Sequence, residues 1–543
     1  MMNQIPKVPT AVNEPVCHYE PGTPQREELK AKLKELKSQE LEIPLIIGGQ
    51  EVYTGNTAES VMPHNHGHVL ARYHLAGERE VNMAIEAALE AKKQWARTPW
   101  ETRVAVMKKT AYLVSTRYRT TINAASMLGL SKTPHQAEIE SVCELTDFLN
   151  FNSDYLQQLY SQQPPYSPDG TWNRLEHRPL EGFVFAATPF NFLAIAGNLP
   201  SSPALMGNVV LWKPASSAVY PAYHLMRIFM EAGLPGGVIN FIPGPGSVVG
   251  PTAMQSEHLA GIHFTGSTSV FQNMWKTVGD NIQTYRSYPR IVGETGGKDF
   301  IVAHESADVE AVVAAIIRGA FEYQGQKCSA VSRVYIPQSL YPKLKERLLE
   351  EVCSVKVGDV EDFRNFMNAV IDKSSFDKIK GYIDEAKESS EATILSGGEA
   401  DDSTGYFIQP TIIETENPHF KTMVEEIFGP VVTLYPSSES FEEVLHLCDQ
   451  TSQYGLTGAV FARDRDAINR ATEVLTHAAG NFYINDKPTG SIVGQQPFGG
   501  ARASGTNDKA GSMFNLVRWV SQRAIKENFD PPRDFSYPFM EET

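Results

Sequence analysis

The sequence predicts an α/β protein built on doubly wound, mostly parallel sheets. Two observations indicate this class: strand-length apolar runs alternate with amphipathic helices, and the alternation starts twice along the chain. Strands separated regularly by helices favour parallel pairing, with helices packed on both faces. Right-handed crossovers then bring the loops after the strands to one edge of the sheet, where such folds bind ligands. We therefore expect the functional residues in these loops.

The first α/β unit is expected before residue 297. Helical spacing of apolar residues predicts helices over 83–96 and 103–115. A later helix over 222–235 is ended by Gly233 and Pro235. Apolar runs predict the strands of this unit over 182–189, 208–214, 238–244 and 261–267. We assign 41–160 and 182–296 to a cofactor-binding domain.

The second unit starts after Gly297. The run FIVAH predicts its first strand, and a helix with Ala311 and Gly319 near one face follows. A strand over 331–337 and a helix over 340–354 continue the alternation. We assign 297–505 to a catalytic domain, because a new strand–helix series indicates a separate core.

Three segments fit neither core. Residues 1–40 combine a Pro-rich start with a charged helix and are expected to form an arm lying on the domain. Residues 161–181 and 510–535 contain exposed alternating strands. Such strands suit pairing with another subunit, so they predict an oligomerisation flap and a homodimer or higher homo-oligomer.

Composition narrows the class of function. The 543 residues carry a formal charge of −16, which disfavours binding to nucleic acid and to anionic membranes. No stretch is long and apolar enough for a membrane span, and the start resembles neither a signal nor a transit peptide. The five scattered cysteines have no metal-ligand spacing and suit a reducing compartment. We expect a soluble intracellular protein without a metal site, in the cytoplasm; the mitochondrial matrix is the alternative.

The segment FEYQGQKCSA (321–330) contains the candidate nucleophile. A helix should end near Gly325, which leaves Cys328 on a loop just before a strand. A lone cysteine is usually a small buried hydrophobe. Cys328, however, has the polar neighbours Gln326, Lys327 and Ser329. We expect Lys327 to lower the pKa of the thiol and favour the reactive thiolate.

The segment GETGGKDF (293–300) contains a candidate general base. Glu294 precedes a Gly pair, where the backbone must pack or turn tightly. A carboxylate there is either a turn residue or a base that reaches a water molecule. One strand and one helix separate Glu294 from Cys328, a spacing that allows both to reach one sheet edge.

The segment ATPFNF (187–192) ends a predicted strand and contains Asn191. Asparagine at such a place commonly caps the next helix. Alternatively, its amide stabilises a developing oxyanion, and removing such a donor costs roughly 3–4 kcal/mol.

Three further loops are candidates for binding a dinucleotide. LWKPAS (211–216), GPGSVVG (244–250) and FTGS (264–267) each follow a predicted strand. The GxGxxxG spacing differs from the GxGxxG fingerprint. Glycine N–H groups at helix starts nevertheless suit pyrophosphate oxygens, and Lys213 suits ribose hydroxyls. Each loop alone leaves the question open.

The motifs together resemble one family. ATPFNF, KPAS, FTGS, GETGGKDF, GQKCSA, EEIFGPV (425–431) and PFGG (497–500) stand in the order found in the aldehyde dehydrogenase superfamily. The resemblance extends from Pro44 to Lys526. It implies a Rossmann-like cofactor domain, a catalytic α/β domain and a β-stranded oligomerisation flap.

The resemblance also implies roles for matching residues. Cys328 would attack the aldehyde carbon, while Asn191 and the Cys328 N–H hold the oxyanion. Hydride would pass to the nicotinamide, and Glu294 would activate the water that hydrolyses the resulting thioester. Lys213 and Glu426 would bind the two riboses, and Phe428 would lie near the nicotinamide. The rest of the cofactor site would comprise Ser216, Gly246, Gly250, Ser267 and Gly296.

The identity of residue 216 bears on the cofactor. Many NAD-preferring relatives carry a carboxylate three residues after the Lys of this motif, where it repels the 2′-phosphate of NADP. Ser216 stands there and repels nothing. NAD is therefore the expected cofactor, with NADP not excluded.

Three segments, 137–148, 321–330 and 481–508, resemble the branch of the superfamily that oxidises glutamate γ-semialdehyde in proline catabolism. Ser329 and the amides of Gly490 and Ser491 offer donors for a carboxylate, and Lys327 adds positive potential. Glu144 offers a counter-charge for an ammonium. Phe192 and Phe498 would enclose the methylenes. Without the resemblance, Glu144 would be taken as a solvated helix residue and the two phenylalanines as core.

Two alternatives remain at this point. The chain could oxidise another semialdehyde, such as succinate semialdehyde, which lacks the ammonium. It could also be an inactive structural member of the superfamily, although the presence of Cys328, Glu294 and Asn191 together argues against this.

Overall fold

The computed structural model describes residues 6–542; the first five residues of the predicted arm and Thr543 lie outside it. The strands are β1 Leu41–Ile43, β2 Leu45–Ile47, β3 Gln50–Val52, β4 Thr57–Met62, β5 Asn65–His74, β6 Thr171–Pro179, β7 Phe183–Ala187, β8 Val210–Lys213, β9 Ile239–Phe241, β10 Leu259–Thr265, β11 Arg290–Glu294, β12 Asp299–Ala303, β13 Val331–Pro337, β14 Ala392–Ser396, β15 Ala400–Asp401, β16 Phe407–Ile408, β17 Thr411–Thr415, β18 Val431–Ser437, β19 Tyr454–Gly455, β20 Thr457–Phe461, β21 Asn481–Ile484, β22 Ala501–Arg502 and β23 Val520–Asn528.

The α-helices are α1 Pro24–Lys37, α2 Glu78–Trp95, α3 Trp100–Ser115, α4 Arg119–Leu130, α5 Pro134–Ala137, α6 Glu144–Ser161, α7 Leu193–Leu205, α8 Val219–Glu231, α9 Gly246–Gln255, α10 Thr268–Asp280, α11 Val309–Phe321, α12 Tyr341–Val352, α13 Lys373–Glu388, α14 Lys421–Val424, α15 Phe441–Thr451, α16 Arg465–Val474 and α17 Met513–Val517. A π-helix, Glu138–Cys143, joins α5 to α6, and 3₁₀ turns span Ser216–Ala218, Glu322–Gly325 and Pro538–Met540. The helix expected over 222–235 is α8, which begins earlier, at Val219.

The first large sheet has seven strands in the order β11-β10-β7-β8-β9-β2-β3. All pairs from β11 to β9 are parallel, and the edge strands β2 and β3 are antiparallel. Strands β7 and β10 are buried along their whole length, as expected for a sheet covered on both faces. The chain runs outward from β7 to β9 and then returns to β10, so the strand order reverses between β7 and β10. Ligand crevices open at such a reversal.

The second large sheet also has seven strands, in the order β14-β17-β18-β13-β12-β20-β21. Its pairs are parallel except for β14 with β17. The first sheet ends at Glu294 and the second begins at Asp299. The short segment between them therefore joins the two sheets directly. The α/β class with two doubly wound sheets, predicted from the alternation of strands and helices, is confirmed.

Strands β6 and β23 form a separate two-stranded sheet. They pair antiparallel with each other, from Val520 opposite Pro179 to Asn528 opposite Thr171. This pairing uses one edge of each strand, and the expectation that these strands also contact another subunit stays a prediction. Alternation of side chains shows that a strand is exposed but does not name its neighbour, and here the neighbour is distant in sequence. Within residues 6–542, none of the helices combines the length and apolar character needed to cross a membrane.

Candidate active site

The loop before β13 holds Cys328 in a fixed position. After α11 the chain makes a 3₁₀ turn in which Tyr323 and Gln324 adopt left-handed φ values of 50° and 57°. Such values cost about 1–3 kcal/mol each and persist only where the surroundings impose them. The Gln324 amide imposes this conformation by donating to the carbonyl oxygens of Ser131 (2.9 Å) and Ala369 (2.8 Å). The loop is therefore anchored to two other segments just before the thiol.

The thiol of Cys328 faces the carboxyl of Glu294. Its Sγ donates a hydrogen bond to Glu294 Oε1 at 3.2 Å. Glu294 is the last residue of β11, and its neighbour Thr265 is the last residue of β10. Glu294 and Thr265 therefore lie at the carboxyl edge of the first sheet, next to the reversal of the strand order between β7 and β10. The structure thus brings the candidate nucleophile and the candidate base into direct contact.

The Gly pair after Glu294 is required by close packing. A Cβ on Gly297 would overlap the carbonyl oxygen of Cys328, and a Cβ on Gly296 would overlap the Glu426 carboxylate. The Gly297 N–H donates to Glu426 Oε1 at 2.9 Å. The pair therefore lets the Cys328 loop and Glu426 approach the same stretch of backbone.

Burial dominates the electrostatics of the thiol. Cys328 is 8% exposed, and burial together with the Glu294 carboxylate raises the pKa of the thiol well above its usual range. The prediction that Lys327 lowers this pKa is wrong. Lys327 Nζ forms ion pairs with Glu140 (2.7 Å) and Glu322 (3.3 Å), which neutralise its charge. The thiol therefore needs a base for activation, and Glu294 is the group in contact with it.

Asn191 lies in the loop after β7 and does not cap the helix that follows. The N-cap position of α7 is Phe192, and no side chain caps it. The Asn191 Nδ2 instead donates to the carbonyl oxygen of Gln326 at 3.0 Å, beside the nucleophile. Its side chain is 4% exposed. Of the two interpretations of Asn191, the contacts favour a donor directed at the site.

The Cys328 thiol lies between two cavities. The first cavity has a volume of about 770 Å³ and opens at the reversal between β7 and β10. Besides Asn191 and Cys328, it is lined by most of the predicted cofactor residues: Lys213, Gly246, Gly250, Ser267, Gly296, Glu426 and Phe428. The second cavity has a volume of about 550 Å³. It is lined by Cys328 and all the predicted substrate residues: Glu144, Phe192, Lys327, Ser329, Gly490, Ser491 and Phe498.

The first cavity has the features that a dinucleotide requires. Helix α9 begins at Gly246 without a side-chain cap, and the N–H groups of Gly246 and Ser247 are available for phosphate oxygens. No heavy atom lies closer than 3.9 Å to the Cβ position of Gly246 or Gly250, so the backbone is open to close approach. Burial lowers the pKa of Lys213 to about 8. A polar ligand such as a ribose would therefore compensate for the burial of this ammonium.

The environment of Glu144 in the second cavity affects the charge of its carboxyl. Burial and the neighbouring carboxylates of Glu140 and Glu294 raise the pKa of Glu144 well above its usual range. Burial in this cavity therefore disfavours the ionised form of the carboxyl in the absence of a ligand, and its role as a counter-charge stays a prediction. An entering ammonium would favour its ionisation, because an adjacent opposite charge stabilises the carboxylate.

Comparisons with known proteins identify the family. The aldehyde dehydrogenase family matches residues 52–523. The chain belongs to the aldehyde dehydrogenase family. It is 52% identical to the mitochondrial Delta-1-pyrroline-5-carboxylate dehydrogenase of Dictyostelium discoideum, over 98% of this chain and 96% of that protein. It is 50% identical to the corresponding mitochondrial enzyme of Homo sapiens, over 97% of this chain and 94% of that protein.

Solved structures agree with these relatives. The Delta-pyrroline-5-carboxylate dehydrogenase of Mycobacterium tuberculosis, in a crystal structure bound with NAD, superposes with a TM-score of 0.96 at 47% identity. The match covers 100% of both chains. The family and the fold that the motif order predicts for this aldehyde dehydrogenase are therefore confirmed.

One predicted cofactor residue of this aldehyde dehydrogenase lies apart from the others. Ser216 is exposed and starts the 3₁₀ turn after β8, beside the hydroxyl of Tyr73. It is not among the residues that line the first cavity in the described part of the chain. Because the 3₁₀ turn begins here, the position next to the cavity is taken by Ala215.

Several residues of the second cavity were missed from the sequence. Thr489 shares a hydrogen bond of 2.7 Å between its hydroxyl and that of Ser329, and Arg318 and Lys487 add cations to the wall. Lys487 and Thr489 stand in the same segment as Gly490, so their closeness to the predicted residues was the available signal. Arg318 lies on α11 without any such signal.

Replacing Asn191 by alanine is expected to lower kcat by roughly 10²–10³-fold, because one donor to the oxyanion is lost. The KM for the aldehyde should change little, since the donor acts on charge that develops during reaction. Steady-state NADH formation measures both constants. Asn191→Asp has nearly the same size but no amide donor and should be at least as slow; full activity of either variant would exclude the oxyanion role.

Proposed function

We propose that this chain oxidises L-glutamate γ-semialdehyde to L-glutamate with NAD as the oxidant. This is the second step of proline catabolism, and the semialdehyde is in equilibrium with Δ1-pyrroline-5-carboxylate. The observation that carries the proposal is the position of the Cys328 thiol, in contact with Glu294 and between two cavities of different chemistry. The names of the relatives at about 50% identity support this substrate.

The first chemical step is addition of the thiol to the aldehyde. Glu294 accepts the proton of Cys328 across the 3.2 Å hydrogen bond, and the thiolate forms a bond to the aldehyde carbon. The carbonyl oxygen becomes an oxyanion. Asn191 Nδ2 and the Cys328 N–H are the donors proposed to stabilise it. The turn before Cys328 leads to Gln326, whose carbonyl oxygen accepts from Asn191 Nδ2 and so keeps this donor beside the sulfur.

NAD, when bound in the first cavity, supplies the two-electron oxidation that converts this adduct to a thioester on Cys328. Lys213 and Glu426 would hold its riboses, and Gly246 and Gly250 would lie against its phosphates. Phe428, which lines this cavity and has a left-handed φ of 62°, would pack near the nicotinamide.

The last step hydrolyses the thioester. Glu294 first passes the proton taken from Cys328 to solvent, and it then accepts a proton from water as the water oxygen attacks the thioester carbon. The carbon–sulfur bond breaks, the Cys328 thiolate takes this proton back from Glu294, and the carboxylic acid is released. Burial raises the pKa of Glu294 to about 7, so a large fraction is ionised near neutral pH. A base with such a pKa is well matched to abstracting a proton at that pH.

The second cavity matches the rest of the substrate. Hydrogen-bond donors at Ser329 and the 489–491 segment, together with Arg318 and Lys487, surround the place for a carboxylate. Phe192 and Phe498 offer apolar walls for a short methylene chain. Glu144 is available to the ammonium. A carboxylate, a short chain and an ammonium together describe an amino-acid semialdehyde.

A substrate panel tests the proposal. We expect kcat/KM for Δ1-pyrroline-5-carboxylate to exceed that for succinate semialdehyde or hexanal by about 100-fold, because each leaves buried polar groups without partners. NADH absorbance measures the rates. Glu144→Ala should slow only the substrate that carries the ammonium. Equal or faster oxidation of succinate semialdehyde would instead support a dehydrogenase of another semialdehyde.

The same assay with NADP tests the cofactor. The proposal of NAD rests on the fit of the first cavity and on the likeness of this chain to the Mycobacterium tuberculosis enzyme, whose crystal structure is bound with NAD. We expect kcat/KM to be clearly higher with NAD. Ser216 carries no charge that would repel the 2′-phosphate of NADP. A ratio of kcat/KM with NAD to kcat/KM with NADP near one would contradict the choice of NAD.

We also propose the domain division and the assembly. The two sheets would form the cofactor domain (41–160 and 182–296) and the catalytic domain (297–505), and 161–181 with 510–535 would form the flap. A two-stranded sheet is only marginally stable alone, so β6 and β23 are expected to pack on a second copy. Exposed Trp172 and Phe529 in this region support a homodimer or higher oligomer. Light scattering after gel filtration measures the assembly.

The compartment is proposed to be the cytoplasm, with the mitochondrial matrix as the alternative. Both keep thiols reduced, in agreement with five cysteines that are all free. The names of the Dictyostelium discoideum and Homo sapiens relatives point to mitochondria for those proteins. Fractionation of the source cells with an antibody to the full chain distinguishes the two.

A further inference from the structure

The N-terminal segment, residues 6–20, runs along the protein without forming a helix or strand. Its middle part nevertheless belongs to the wall of the second cavity, which Asn13, Glu14 and Val16 line. A segment without regular secondary structure keeps one conformation only where contacts with the rest of the protein hold it. Asn13 makes three of the side-chain hydrogen bonds of this segment.

Asn13 uses three of the four hydrogen-bonding positions of its side chain, on two different elements. Its Nδ2 donates to Asp147 Oδ2 on α6 at 2.8 Å and to the carbonyl oxygen of Val493 at 2.7 Å. Its Oδ1 accepts from Gln495 Nε2 at 2.9 Å. One amide thus connects α6 with the 489–496 loop, the loop that contains Gly490 and Ser491.

The α6 side of this connection is firmly fixed. Asp147 is 4% exposed, and its Oδ1 also accepts from the Glu14 N–H at 2.7 Å. Further along the segment, Glu14 pairs with Arg119 at 2.6 Å. The Cys17 N–H donates to Glu138 Oε1 at 2.9 Å. Asn13 is therefore held in place independently of the loop.

Apart from Asn13, the 489–496 loop is held by the hydrogen bond between Thr489 and Ser329 at 2.7 Å and by the buried side chain of Val493. It has no regular secondary structure, and Gly490 and Gly494 adopt left-handed φ values of 86° and 83°. Within the loop, the Ile492 N–H donates to Gln496 Oε1 at 3.0 Å. Gly494 packs against the ring of Phe151, also on α6. Asn13 therefore supplies two of the hydrogen bonds that hold the loop against the rest of the protein.

We propose that Asn13 is a positioning residue that holds the 489–496 loop in the arrangement in which Gly490 and Ser491 receive the substrate carboxylate. This role rests on the proposed function, because the loop matters to the reaction only if the substrate carries a carboxylate. Asn13 acts through the loop and does not touch the reacting atoms. A loop held in its binding geometry loses less entropy when the substrate binds, which strengthens binding without altering the chemical step.

Asn13→Ala in the full chain tests the proposal. Losing two hydrogen bonds to the loop is expected to raise KM for glutamate semialdehyde by about tenfold, with little change in kcat. The kcat/KM for hexanal, which has no carboxylate, should stay at the wild-type value. A general loss of structure would lower activity on both aldehydes equally, and that result, or an unchanged KM, would overturn the proposal.

Hydrogen exchange gives a readout that does not depend on the substrate. In Asn13→Ala, amides of the 489–496 loop should exchange faster, while those of α6 and β13 stay protected. If the wild type fails to oxidise glutamate semialdehyde but the loop exchanges faster in the variant, the proposed function fails and the positioning role stands. If the wild type oxidises it and neither KM nor loop exchange changes, only the positioning role fails.

Two further variants separate positioning from packing. Val12→Ala changes the adjacent side chain, which is 74% exposed, and should match the wild type in KM and exchange. The double variant N13D/D147N restores a hydrogen bond between the two side chains but offers no donor to the Val493 carbonyl. It should recover thermal stability while KM stays raised. The double variant keeps an acceptor for Gln495 Nε2, so recovery of KM as well would show that the Val493 contact is not needed and would overturn the role assigned to that contact.

Discussion

Cys328→Ala is expected to reduce NADH formation by about 10⁴-fold or more, because no other group can form the covalent intermediate. The thiol is 8% exposed, and its hydrogen bond to Glu294 is its link to the candidate base. Removing the sulfur leaves the two cavities in place. NAD should therefore bind to the variant as it does to the wild type, since the phosphate and ribose contacts proposed for Lys213 and Gly246 lie away from residue 328.

Two measurements separate these effects. Absorbance of NADH gives turnover with glutamate semialdehyde, and calorimetric titration gives the Kd for NAD. Cys143→Ala is a matched control: Cys143 also lines the second cavity and is buried, but its Sγ lies near Glu138 and not near Glu294. It should keep turnover close to the wild type. Normal turnover in Cys328→Ala would exclude the nucleophile assignment, and a wild type that binds NAD without turnover would support an inactive structural member of the family.

Much of the fold could be predicted because its physical causes are local. Buried parallel strands are mostly apolar, so β7 and β10 stand out as runs, and the helices between them show their apolar face at helical spacing. The pairing of β6 with β23 has no local cause. It depends on where two distant segments meet, which alternation of exposed residues does not encode.

The candidate site shows the same limit. Motif order was enough to select Cys328, Glu294 and Asn191, and the sheet topology explains why loops so far apart in sequence meet. Charge states were not predictable in this way. Lys327 was expected to activate the thiol, but it pairs with Glu140 of the π-helix. That partner follows from tertiary packing, and it removes the positive charge from the neighbourhood of the sulfur.

Asn13 is a further example, at larger sequence distance. An asparagine in an irregular segment has no periodic pattern and no motif around it. Its importance follows only from the simultaneous contact with Asp147 and the 489–496 loop. Local sequence predicts the elements that carry catalytic groups well, whereas the contacts that orient those elements need the three-dimensional structure.

The second large effect is expected for Glu294→Gln. We expect kcat to fall by about 10²–10⁴-fold, because the amide cannot accept a proton from the thiol or from water. If hydrolysis is slowed more than thioester formation, the first turnover should give a burst of NADH that approaches the number of active sites. Rapid mixing with a large excess of NAD and aldehyde measures the burst and the slow steady state separately.

The pH dependence identifies the group itself. Burial raises the pKa of Glu294 to about 7, against the hydrogen bond from Cys328 and the charge of Lys509, which both lower it. The base works as the carboxylate, so the kcat of the wild type should rise as pH increases through about 7 and fall below it. Glu294→Gln should lose this transition. Glu144→Gln is the control, because burial and the neighbouring carboxylates raise the pKa of Glu144 and favour its neutral form, which the amide mimics. It should keep the midpoint near 7, whatever happens to KM. A midpoint that disappeared in Glu144→Gln and survived in Glu294→Gln would transfer the role of base from one carboxyl to the other.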